Sequence, residues 1–337
     1  MLSAQSNPNQ FESSQGIGRL LFLGMASMML CMSVVMAIFT PFPMALAIVL
    51  YGRTKGLALV VTCIVTLFAL TKFLIPGTVL AFFVMASFFG AVVAEIVLRR
   101  IHPVKGLVAA GTLFCLLTVF GAGVFISSME TPVHKFLTTK IETVSKEIES
   151  KKAEYLAKGE QDMRAMLDLF SRPDLIATKI IHELPSSLFM GVFFWLWVIL
   201  FLLLRSTRFF PMEVAGQGYS EKDLLDFRVK DWTVWILIPA LVIALVGDKM
   251  GMESDTALAI GLSVIKGLGI FYFFQGFGVY LRFLDHIKLF GFFRSFLVMF
   301  TVISVAWLLA LVGLLDMWFD FKNYFKRKEN ENSDENE

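Results

Sequence analysis

Apolar residues run in long, almost uninterrupted stretches along this chain, separated by short polar loops and by one charged insertion. An α-helix needs about 20 such residues to cross a bilayer core. The pattern predicts spans at Leu20–Phe39, Leu57–Leu74, Thr78–Leu98, Leu107–Ser127, Leu184–Leu204, Trp232–Val246, Thr256–Leu281 and Phe292–Leu315. A further apolar segment, Met44–Tyr51, is only about half a span long. It follows Thr40-Pro41-Phe42-Pro43, where two prolines remove backbone donors. It reads as a short span or a re-entrant half-helix, since irregular backbone at depth is tolerated only under protein or beside a watery cavity. The fold class is therefore all-α: a polytopic transmembrane bundle of about 8–9 hydrophobic segments, one short or re-entrant, with an extramembrane helical insertion.

Composition agrees. Hydrophobic residues make up 57% of the 337 and charged residues 17%, with a mean hydropathy of +0.72. Soluble domains carry about 25% charged residues. A formal net charge of +2 gives no global basic field for nucleic acid. Cys31, Cys63 and Cys115 each lie inside an apolar stretch without a CxxC partner, which fits packing residues. The first polar residues lack the basic region of a signal peptide. Residues 1–18 are expected to be a disordered tail, 19–128 the N-terminal helices, 129–183 the charged insertion, 184–321 the C-terminal helices, and 322–337 a second disordered tail.

Positive residues favour cytoplasmic loops. Arg53 with Lys55, Arg99 with Arg100 and Lys105, Arg205 with Arg208, and Arg282 with Lys288 and Arg294 form four clusters, each two spans from the next. All four can share one side, which puts the 129–183 insertion and the Asp248–Asp255 loop outside. The same alternation sends the last span outwards and strands Lys322, Lys326, Arg327 and Lys328 on the wrong side. Within the insertion, Leu137, Ile141, Val144, Ile148 and Tyr155 recur at helical spacing. Lys151 interrupts the stripe, so a surface helix or helical hairpin is expected rather than a sustained coiled coil.

No catalytic constellation stands out. His102, His134, His182 and His286 are scattered in loops or at membrane edges, without metal-ligand spacing, and no GxSxG, P-loop or HExxH motif occurs. The expectation is a non-enzyme with no metal and no cofactor. Polar groups within spans are costly and often functional. Glu95 with Arg99 one turn later reads as a structural ion pair. Gln275, beside Gly276 and Gly278, needs either another helix or a ligand. Lys266 either snorkels or faces a cavity. Ala86/Gly90/Ala94 and Ala257/Gly261 have the spacing of close helix packing. With the Pro41–Pro43 break, Gln275, Gly276 and Lys266 form the candidate ligand set. A polar cavity around Gln275 would indicate a ligand site there; a dry, packed surround would favour a scaffold.

Phe273-Phe274-Gln275-Gly276-Phe277-Gly278, then a basic loop, an apolar span and Gly313-Leu314-Leu315-Asp316-Met317-Trp318-Phe319-Asp320-Phe321-Lys322, resemble the YybS-like bacterial membrane proteins, as does Leu50-Tyr51-Gly52-Arg53-Thr54-Lys55-Gly56-Leu57. That family has no known function and is distantly similar to the substrate-binding S components of energy-coupling-factor transporters. The resemblance implies a multi-pass protein of the bacterial inner membrane, surrounded by lipid, with a small-molecule ligand between helices and a membrane partner subunit. The alternative is a non-transporting scaffold that binds envelope proteins.

Overall fold

The computed structural model describes residues 8–33, 35–73, 76–129, 131–150, 172–206, 219–247, 249 and 254–325. Every regular element among them is helical: α1 (Pro8–Met32), a 3-10 turn (Ala37–Phe39), α2 (Pro41–Thr71), α3 (Gly77–Leu98), α4 (Pro103–Ser127), α5 (Val133–Ser150), α6 (Pro173–Ser206), α7 (Glu221–Leu225), α8 (Val234–Val246), α9 (Ser254–His286) and α10 (Gly291–Phe319). Six of these stretches are long and apolar enough to cross a membrane, and Gly16–Met32 and Asp231–Val246 are shorter apolar helices. The chain is an all-α membrane bundle. It divides into two compact units: Met1–Thr112 with Phe193–Arg228, and Leu113–Val192 with Val229–Glu337.

The first unit is organised by a reversal at Gly52. That residue has φ 84° and ψ 165° inside the apparently continuous α2, a backbone region essentially restricted to glycine. A methyl group added at Gly56 would lie 2.6 Å from the Cα of Ile48, although residues eight apart in an unbroken helix are about 12 Å apart. The arms on either side of Gly52 therefore fold back on one another. Helix α1 confirms the direction of each. Ser27 Oγ donates to the Thr40 carbonyl at 2.8 Å, and a methyl group added at Gly16 would lie 3.9 Å from the Tyr51 ring. The short arm thus runs antiparallel to α1. Gly24 packs on Leu59 and Cys63, so the long arm runs parallel to it. The short arm, Pro41 to Tyr51, is about 16 Å long at 1.5 Å per residue, about half a bilayer core, with Met44 to Val49 at most 5% exposed.

Three expectations are corrected here. The first span ends at Met32 rather than Phe39, and Pro41 and Pro43 open α2 instead of closing the helix before it. The first turn of a helix leaves its N–H groups unpaired anyway, so proline is at home there. For the same reason α1 begins at Pro8, and residues 8–18 of the expected tail are helical. Residues 1–7 lie outside the described ones.

The second unit contains another broken helix. Tyr280 Oη meets Thr301 Oγ1 at 2.9 Å and Arg294 pairs with Asp285, so the first arm of α10 runs antiparallel to α9. Val305 then departs from helical geometry, with φ −138° and ψ 36°. Beyond it the order reverses. Gly313 packs on Tyr272 and Gly276, Asp316 bonds to Gln275, and the Lys322 carbonyl accepts from Arg282. Residue numbers now rise together, so the second arm runs parallel to α9. Although α10 has 29 residues, each arm is about 21 Å long at 1.5 Å per residue, short of a bilayer core of about 30 Å. The stretch expected as an outward span, Phe292–Leu315, is bent into a hairpin at Val305. Lys322 returns to the end of α9 that carries Arg282, which removes the charge conflict seen in the sequence. Residues 322–325 of the expected C-terminal tail are also placed, with Lys322 6% exposed and the Phe325 ring against Phe283 and His286. Residues 326–337 lie outside the described ones.

The insertion is partly described. His134 bonds Thr178 at 3.1 Å and Thr138 bonds Asp174 at 3.2 Å. Partner numbers fall as α5 ascends, so α5 and the start of α6 form an antiparallel pair, with Ala177 buried. Residues 151–171, including Lys151 and Tyr155, lie outside the described ones. Helix α6 runs unbroken from Pro173 into the span, so the boundary expected at 183 falls inside one helix.

Candidate functional site

The expected ligand residues divide between the units. In the second, Gln275 is fully buried. Its Oε1 accepts the Val229 backbone N–H at 2.8 Å, and its Nε2 donates to Asp316 Oδ2 at 2.8 Å. The other carboxylate oxygen of Asp316 accepts the Lys322 N–H at 3.1 Å. Beside this network α9 and α10 touch backbone to backbone: a methyl group on Gly276 would sit 1.8 Å from the Leu309 carbonyl oxygen, and one on Gly313 1.9 Å from that of Tyr272. Gln275 and Gly276 thus join helices, with both ends of the amide engaged. Lys266 has a different partner, Glu183 on α6. It neither snorkels alone nor shares a contact with Gln275.

In the first unit, Pro41 and Pro43 are buried at the start of the short arm. Gly90 of α3 sits on the Pro41 carbonyl, where an added methyl would approach to 2.7 Å. Trp195 Nε1 donates to the Ile38 carbonyl, and its ring stacks on Phe82 at 5.6 Å and packs on Phe89 at 4.6 Å. Two hydroxyls at this end, Thr40 Oγ1 and Ser87 Oγ, are buried and have no hydrogen-bond partner among the described residues. Thr40 caps the arm without a side-chain bond to it. Ser87 lies one turn before Gly90 on the buried face of α3, and α3 runs parallel to the short arm, so Ser87 is level with the residues just before Pro41. Unpaired buried hydroxyls each cost on the order of 1–3 kcal/mol, so two at one helix end mark a polar spot with unfilled bonding capacity.

At the opposite end of the short arm, Glu95 accepts from Arg99 Nε and from two nitrogens of Arg53, at 2.9 and 3.0 Å. Among the described residues no three His, Cys, Asp or Glu side chains converge on a metal position.

Sequence reasoning did not single out Thr40, Ser87, Trp195 or Asp316 as individual residues. Asp316 lay within a noted motif, and a carboxylate in a span was the available signal. Nothing in the sequence distinguishes Ser87 from the serines that bond their own helix.

The family model described as "Predicted membrane protein (DUF2232)" matches residues 20–317, almost every described helix. The chain belongs to this family. Neither the curated proteins nor the solved structures contain a match to it.

Proposed function

We propose that this DUF2232 protein is a non-catalytic membrane subunit of the transporter type, binding a small polar molecule at the buried N-terminal end of the short arm of α2. One observation carries this reading: the reversal at Gly52 buries a short helix whose N-terminal end leaves Thr40 and Ser87 with unfilled hydrogen-bonding capacity. Discontinuous helices ending near substrate are a recurrent device of transporters, because a free helix end supplies partial charge where side chains are costly. The hairpin at Val305 is a second break of this kind. The resemblance to YybS-like proteins and S components supports the same reading at the level of fold. It implies a bacterial inner membrane and a membrane partner subunit.

The scaffold reading has its own support. Both polar ends of the Gln275 amide are bonded within the protein, which suits a structural role for it, and the α5–α6 pair exposes Phe136, Val144 and Leu175. The two readings separate in a thermal-shift screen of the purified protein against small water-soluble metabolites. A compound that stabilises wild type, with the shift lost in Thr40→Val/Ser87→Ala, supports substrate binding. No stabilising compound, together with stoichiometric recovery of a protein bound through α5, supports the scaffold.

A further inference from the structure

Glu95 is the sole acidic residue between Glu12 and Glu130, and it is engaged by two arginines at once. Arg53, the first residue after the Gly52 reversal, grips both of its oxygens, and Arg99 reaches it from one turn along α3. Both guanidinium groups remain largely exposed, at 58% and 65%, while the carboxylate is 32% exposed. The three line the mouth of a cleft of about 400 Å³ whose wall is Ile48, Leu57, Ala91 and Val92. Lys55 lies in α2 two residues past Arg53, Arg100 follows Arg99 directly after α3, and Lys105 lies in the first turn of α4. Two arginines thus share one carboxylate, and three further cations stand close to them in the chain.

We infer that this cleft is a binding site for the phosphate of an anionic membrane lipid. Each guanidinium carries five N–H donors; Arg53 directs its Nε and Nη2 to Glu95, and Arg99 its Nε, so both retain donors for a further anion. Paired arginines suit phosphate because planar forks bind its oxygens bidentately. Glu95 acts as the positioning residue: it draws the two side chains together and offsets part of their mutual repulsion, leaving the site with net positive charge. The wall decides between a lipid and a free phosphate. Leu57 is 48% exposed, and together with Ala91 and Val92 it offers an apolar track leading from the arginines into the span. An acyl chain covers that track, whereas inorganic phosphate leaves it open. Basic pockets between helices at a membrane end are suited to anionic headgroups on these grounds.

The test uses full-length protein in neutral detergent, with phosphatidylglycerol, phosphatidylcholine or inorganic phosphate added. Thermal stability and lipid occupancy by native mass spectrometry are the readouts. Phosphatidylglycerol is expected to raise the melting temperature of wild type and of Lys72→Gln, a charge-loss control at the other end of α2. In Arg53→Gln/Arg99→Gln the shift disappears and occupancy falls at least about tenfold, the loss expected when charge-assisted hydrogen bonds are removed. If that variant does not elute as a monodisperse species, Val92→Trp fills the wall while leaving the charges, and is expected to lose phosphatidylglycerol in the same way. Equal stabilisation by inorganic phosphate would assign the arginines to a soluble anion and overturn the lipid site. Equal shifts with phosphatidylcholine, or in all variants, would also overturn it.

Discussion

Gln275 donates to Asp316 at 2.8 Å, and this bond fastens the returning arm of the α10 hairpin to α9. Both side chains are at most 1% exposed. Asp316 also takes the Lys322 N–H, so one carboxylate fixes both the helix contact and the turn that follows it.

Gln275→Leu is expected to lower stability by about 1–3 kcal/mol. An interhelical bond in a membrane averages about 0.6 kcal/mol, and Asp316 would in addition be left short of a donor. Gln275→Leu/Asp316→Leu should recover part of the loss, giving a coupling energy in a thermal or chemical denaturation cycle. Additive losses in the cycle would mean that the bond carries no coupling.

The α9–α10 crossing makes a sharper demand. Gly276→Ala and Gly313→Ala each drive a methyl group into a carbonyl oxygen closer than 2 Å away, and backbone cannot yield as a side chain tip can. Both should abolish the monodisperse detergent-extracted species. Gly269→Ala, with nothing within 4 Å of the added methyl, should be neutral or stabilise by up to about 1 kcal/mol through helix propensity. Size-exclusion profiles and melting temperatures of the three variants check the contrast.

Much of the fold was legible because lipid imposes a coarse rule: apolar runs of sufficient length become helices whatever their neighbours. The short segment after Pro43 was visible from its length alone. The direction of α10 was not. Its apolar run is long enough to cross, and Val305 has no proline or glycine beside it to signal a reversal; the stranded charge of Lys322 was the one trace left in the sequence. The Gln275 motif was visible as polar groups in lipid, but its partner depends on the hairpin. Thr40 and Ser87 are ordinary hydroxyls until packing removes their partners.

The reversal at Val305 places Asn323 on the same membrane side as Lys288 and opposite Lys249. Single cysteines at these three positions, in a background with Cys31, Cys63 and Cys115 replaced by Ala, can be tested with an impermeant thiol reagent in intact cells. Positions 288 and 323 should behave alike and 249 differently. Agreement of 323 with 249 would mean that α10 crosses the membrane.

The reversal at Gly52 forms both the polar spot at Thr40 and the cleft at Arg53, and a single distance tests it. Spin labels at Phe42→Cys and Thr71→Cys in the same cysteine-free background report on the two arms of α2 by pulsed electron paramagnetic resonance. Arms folded back at Gly52 leave the sites offset by about 14 Å along the axis and by about 8–10 Å between helices, so the distance distribution should centre below about 25 Å. A continuous helix would separate them by about 44 Å at 1.5 Å per residue, and a distribution centred there would contradict the account.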